Sequence, residues 1–131
     1  MTGFGMRKKV HATYDEALSR VPEALESEGF GVLTEIDIRS TLEKKLGVDF
    51  RRYKILGACN PPFARAALQA DLEIGLMLPC NVVIYEDDDL RAVVLTVDPT
   101  KTMAGAGNPK LVELAEADKE KLSRALAKLE E

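Results

Sequence analysis

The chain has 131 residues, 46% of them hydrophobic and 31% charged, a composition that can bury a core and is neither disordered nor fibrous. Its formal net charge of −4 offers no general positive field to a phosphate backbone, so nucleic acid is not an expected partner. No uncharged apolar run approaches the roughly 18 residues of a membrane helix, and the N-terminal MTGFGMRKKV has no apolar stretch after its basic residues; the expectation is a single cytoplasmic domain over residues 1–131 with no membrane partner.

Phe4 to His11 reads as an edge strand with Met6, Lys8 and Val10 on one face. Thr13 and Glu16 have the spacing of a capping box, which starts a helix carrying Tyr14, Leu18, Val21 and Leu25 on one side and ending at Gly29. Pro22 lies inside it and predicts a bend or a break, because proline has no N–H for the Leu18 carbonyl. Phe30 to Ile38 alternates as a half-buried strand, with Val32, Thr34 and Ile36 facing one way. Ser40 and Glu43 then predict a short capped helix, with Leu42 and Leu46 inward and Gly47 as its stop.

Tyr53 to Cys59 is a third strand, followed by Asn60 as N-cap and Pro61 at the first position of an alanine-rich helix. Asp71 to Pro79 holds Gly75 and reads as a connecting loop packed on the core. Asn81 to Glu86 and Leu90 to Val97 are rich in Val, Ile and Leu and form a hairpin across an acidic turn at residues 86–89. DPTKTMAGAG, residues 98–107, reads as a flexible linker, after which Asn108 and Pro109 open a long helix whose apolar face is Leu111, Leu114, Ala115, Leu122, Ala125, Leu126 and Leu129. The order is β-α-β-α-β-α-β-β-α, an α+β arrangement in which helices cover one face of a largely antiparallel sheet.

The chemistry available to such a chain concentrates where a Cys-Asn step occurs twice, at Cys59-Asn60-Pro61 and Pro79-Cys80-Asn81. If the two strands are antiparallel neighbours, the end of one lies beside the start of the other and the thiols come close. Cys59 precedes a helix N-terminus, a setting that favours a thiolate, although an apolar neighbourhood opposes it. Asn60 and Asn81 are both candidate ligand contacts, since a corner amide can cap a helix, hold a turn or hydrogen-bond a ligand; capping also explains Asn60, whereas Asn81 has no equally simple local task. Lys101, in a glycine-containing linker before a helix, is a candidate for binding an anion. The one histidine, His11, cannot complete a zinc site without carboxylates from elsewhere, and there is no Cys-x-x-Cys pair, so neither metal nor cofactor is expected.

At GFGVLTEIDI, YKILGACNPPFARAAL, GLMLPCNVVIYE and DPTKTM the chain resembles the domain of unknown function 302 family over nearly its whole length. That resemblance implies a curved, mostly antiparallel sheet of about five strands with helices on one side, TATA-binding-protein-like, often paired as a homodimer. Its motif positions fall on Cys59, Asn60, Pro61, Pro79, Cys80 and Asn81, and family members commonly have His where this chain has Arg65. Two functions follow as expectations. One is a homodimeric domain that binds a small molecule or a partner at the Cys-Asn corner. The alternative is a thiol-dependent enzyme or redox sensor in which Cys59 attacks, Cys80 resolves and an asparagine orients the substrate.

Overall fold

A computed structural model describes residues 3–103 and 107–129. Five strands, β1 (Gly5–Lys9), β2 (Gly31–Asp37), β3 (Tyr53–Cys59), β4 (Cys80–Glu86) and β5 (Ala92–Val97), form one open antiparallel sheet in the order β1-β5-β4-β3-β2. The helices are α1 (Tyr14–Ser27), α2 (Ile38–Leu46), α3 (Pro61–Ala70), α4 (Pro99–Thr102) and α5 (Pro109–Ala127). The last strand is therefore internal, and the first strand occupies one edge while β2 occupies the other.

Period-two alternation divides the sheet into two faces. On one, Met6, Val10, Leu56, Ala58, Val82, Ile84, Ala92 and Val94 pack against Val21 and Leu25 of α1 and Leu122, Ala125 and Leu126 of α5. A second cluster, with Phe63 and Ala67 of α3, Ile74, Met103, and Leu111 and Ala115 of α5, fastens α3, the segment after it and the end of α4 to the N-terminal half of α5. The other face carries cross-strand rows set by the register: Arg7, Leu95, Val83, Ile55 and Ile36 form one, and Lys9, Val93, Tyr85 and Tyr53 the next.

Local signals place most helix ends. Thr13 and Glu16 make the reciprocal capping box at α1, and Asn108 accepts the Lys110 N–H at α5. Gly47 closes α2 at φ 65°, a conformation that costs a residue with a Cβ. At the other end of α2 the expectation fails: its N-cap is Asp37, whose carboxylate accepts the Ser40 N–H, so the helix begins three residues before the predicted start at Thr41. Pro22 sits within one continuous α1.

Three further expectations need correcting. Residues 72–77 form a 3-10 helix, started by the Asp71 side chain accepting the Glu73 N–H, so Asp71–Pro79 is not a plain loop. Linker residues 99–102 wind into α4 because Asp98 accepts both the N–H and the hydroxyl of Thr100. Asp98 is fully buried and its other oxygen is paired with Lys119 at 3.0 Å, which ties α4 to α5. The third concerns β2, which is not half-buried. An irregularity at Leu33 interrupts its register between Val32 and Thr34, and no residue from 31 to 50 is buried. Leu42 is only half-buried and Leu46 is 69% exposed, so α2 has no inward face of its own.

Candidate functional site

The end of β3 and the start of β4 meet as the sequence leads one to expect, with Ala58 opposite Cys80 and Gly57 opposite Asn81. Alternation then separates the second Cys-Asn step. Cys80 turns with Val82 and Ile84 toward the helices and is buried, while Asn81 turns with Val83 and Tyr85 onto the face without helices and is exposed. The first step divides differently: Cys59 is half-buried beside Gly31 of β2, and Asn60 is buried at the N-cap of α3. Both thiols are free.

Asn60 corrects its expected role. Its backbone carbonyl accepts the Ala64 N–H, but its side chain makes no capping hydrogen bond; its amide lies beside Gly29, within 3.7 Å of where a Cβ there would stand. A Cβ at position 29 would make ordinary contact there, and what favours glycine at that position is its φ of 91°.

Cys80 meets a residue that the sequence reading missed. Its thiol donates to Oδ2 of Asp118, 3.7 Å away, in the middle of α5. Asp118 is 2% exposed and its other oxygen, Oδ1, has no partner among the described residues. Burial, then the neighbouring carboxylate and its hydrogen bond, and last Cys59, push the Cys80 thiol up to about 12. Burial likewise pushes the Asp118 carboxyl up to about 6, against the pull of the Cys80 hydrogen bond and the Lys121 charge. The chemical consequence is a Cys80 that stays a neutral thiol through the physiological range and a carboxyl that titrates near its upper acidic edge. The signal for Asp118 was present: Leu111, Ala115, Asp118, Leu122 and Ala125 follow the four-three spacing of a buried stripe, and an acid inside such a stripe must be buried or must break it.

The remaining candidates lie elsewhere. His11 is exposed beyond Lys9, near Ala92, at the opposite end of the sheet from Cys80, and its carbonyl accepts from Arg91. Lys101 belongs to α4, not to a loop, and Gly105 lies outside the described residues. Asn108 is occupied, capping α5 with its oxygen and donating its amide to the Ala70 carbonyl at 3.3 Å. Arg65 is exposed on α3. Among the described residues no group of three or more His, Cys, Asp or Glu side chains is arranged to hold a metal ion, and no helix is long and apolar enough to cross a membrane.

On the helix-free face a cavity of about 230 Å³ opens between Phe4, Tyr53, Asn81, Val83, Leu95 and Val97. Tyr53 and Tyr85 stack beside it with centroids 5.7 Å apart and planes within 8°. Asn81 is the amide at this apolar surface, and neither its oxygen nor its nitrogen is engaged by a described residue. A shallow apolar bed with one donor-acceptor group can orient a small molecule without transforming it.

Comparison with known proteins adds a family and a fold. The family model for Domain of unknown function DUF302 matches residues 6–129. A solved structure described as an uncharacterized conserved protein DUF302 from Bacillus stearothermophilus is similar at 30% identity, with a TM-score of 0.90 over 98% of this chain and 99% of that one. No curated protein matches.

Proposed function

We propose, for a chain that belongs to the DUF302 family, a domain of unknown function, a binding role without catalysis, with the helix-free face of the sheet as the working surface. The observation that carries this reading is the unengaged Asn81 amide in an apolar cavity of about 230 Å³. The ligand class it suits is a small, largely apolar molecule with one hydrogen-bonding group, which exchanges its hydration for contact with Val83, Leu95 and Val97 and finds its polar partner in Asn81. With a net charge of −4, the TATA-binding-protein-like character of the resemblance carries no nucleic-acid role into this proposal.

The chain has no tryptophan, so tyrosine emission reports on this face directly through Tyr53 and Tyr85. Titrating the folded protein with anilinonaphthalene sulfonate, an apolar probe with one anionic group, should quench tyrosine emission saturably. Leu95→Glu should weaken that binding at least tenfold and Cys59→Ser should leave it unchanged. The reverse pattern, loss with Cys59→Ser alone, would move the function to the thiol corner. That second reading is favoured by the half-buried position of Cys59, and it requires Cys80, whose thiol is pushed up to about 12, to act as resolving partner. Alkylation of the native protein at pH 8 should label Cys59 and reach Cys80 only on unfolding.

A further inference from the structure

Where α1 begins and β2 turns into α2, a cavity of about 250 Å³ opens on the helix side of the sheet. It is lined by Tyr14 and Leu18 of α1, Asp37 and Arg39 at the β2–α2 junction, and Arg52 and Lys54 at the start of β3. Register brings these groups together: Asp37 pairs with Lys54, and Lys54 alternates with Leu56 and Ala58 toward the helices. Tyr14 is only 4% exposed, and its hydroxyl makes no hydrogen bond to a described residue. Burial first, then Asp37, pushes that hydroxyl up to about 12, so it stays a protonated donor. Asp37 spends one carboxylate oxygen on the Ser40 N–H and leaves the other unengaged among the described residues. Arg52 lies over the Tyr14 ring, 4.4 Å from its centroid, and pairs with Asp15. Lys54, whose side chain is 22% exposed, gives one of its three ammonium protons to Glu35 at 2.7 Å and keeps the others.

We propose that this cavity binds a free α-amino acid with a small apolar side chain, its carboxylate on Lys54, Arg39 and the Tyr14 hydroxyl, its ammonium on Asp37 and its side chain against Leu18. Exposed ion pairs alone need no ligand, but a hydroxyl on so deeply buried a residue, beside a cavity and without a partner, calls for one. Charge selects the class. Asp15, Glu35, Asp49 and Glu86 stand behind the three cations, so a simple anion meets repulsion, while a simple cation meets Lys54 and the two arginines. A ligand that carries both charges and no net charge escapes both penalties. Size agrees, since the cavity is smaller than the roughly 300–1,000 Å³ of pockets for drug-sized ligands.

The site shares no lining residue with the Asn81 cavity and stands whether or not that face binds a ligand. The test is isothermal titration calorimetry of the full chain with L-leucine, 4-methylpentanoate and isoamylamine, the last two being the leucine skeleton without its ammonium and without its carboxylate. Leucine should bind saturably at one site, about tenfold tighter than either relative. Asp37→Asn keeps the α2 cap, because asparagine caps as well as aspartate, and should lower leucine to the level of 4-methylpentanoate. Lys54→Gln should lower it to the level of isoamylamine. Tyr14→Phe, which retains the ring beneath Arg52, should weaken leucine about fivefold with unchanged circular dichroism. No saturable heat from leucine overturns the proposal, as does either relative binding as tightly as leucine. Leucine binding indifferent to Asp37→Asn and Tyr14→Phe also overturns it, because the ligand then sits elsewhere.

Discussion

Replacing Asp118 with asparagine should stabilise the protein at neutral pH and do little at pH 4. The carboxyl is 2% exposed, lies against the Cys80 thiol, and is pushed up to about 6 from an ordinary 3.8. Because the folded state holds this proton more tightly than the unfolded chain does, the stabilisation is fully present below about 3.8 and is lost as pH rises through about 6. The displacement is equivalent to about 3 kcal/mol, an upper figure because a buried carboxylate draws in water and local relaxation. Asparagine keeps an acceptor for the thiol and cannot ionise, so it removes the pH-dependent part and leaves the packing. Urea denaturation of both proteins from pH 4 to pH 8 isolates the effect, since every other titration cancels in the difference. The variant should match the wild type at pH 4 and exceed it by about 2–3 kcal/mol at pH 7.5. A difference that is flat with pH would mean that folding leaves the carboxyl unshifted, and a variant weaker at pH 7.5 would mean that the carboxylate is stabilised in its charged form; either result would refute the reasoning.

Two further substitutions test the packing of the sheet. Thr96 is 3% exposed, its hydroxyl has no partner among the described residues, and the void beside it, about 10 Å³, is marginal for even one water. Thr96→Val should therefore raise stability by about 1 kcal/mol at unchanged denaturant dependence, and a loss would reveal a bound partner. Gly5→Ala would set a Cβ 2.0 Å from the Thr96 carbonyl oxygen, where the obstacle is backbone, so β1 must move off β5. The expected cost is about 2 kcal/mol or more, visible as faster hydrogen exchange in residues 92–97; full protection in the variant would contradict this.

Features specified within a few residues were legible in the sequence. The Thr13–Glu16 capping box, the Gly47 stop and the Asn108–Pro109 opening are local exchanges of hydrogen bonds and torsions, and neighbours at a distance do not alter them. The consequence of pairing β3 with β4 was also legible, because antiparallel neighbours must set the end of one beside the start of the other, although residues 60–79 separate them in the chain. What failed depended on company from far along the chain. Whether Asp118 is a surface acid or a buried one is decided by Cys80, 38 residues earlier. Asp37 and Ser40 are both good caps, and the length of β2 chooses between them. The alternation of Phe30 to Ile38 predicts a buried side that its own chain does not supply, since burial belongs to what lies opposite and not to the pattern. The faces of Asn81 and Cys80 were separable only through the register with Gly57 and Ala58.

The pairing of β1 with β5 has a consequence for synthesis on the ribosome. The first strand to emerge has no strand partner until residues 92–97 follow it out, and the helix face that Met6 helps to form is closed by Leu122 and Leu126 later still. Long-range pairing of this kind makes nucleation slow and leaves the nascent β1 segment exposed. Arg7 and Lys9 lie on that waiting strand, and Lys8 between them later donates to the Leu126 carbonyl near the end of α5. Three consecutive cations keep the unpaired segment soluble and poor at pairing with another nascent chain, so one basic run protects the segment before folding and secures the last helix after it.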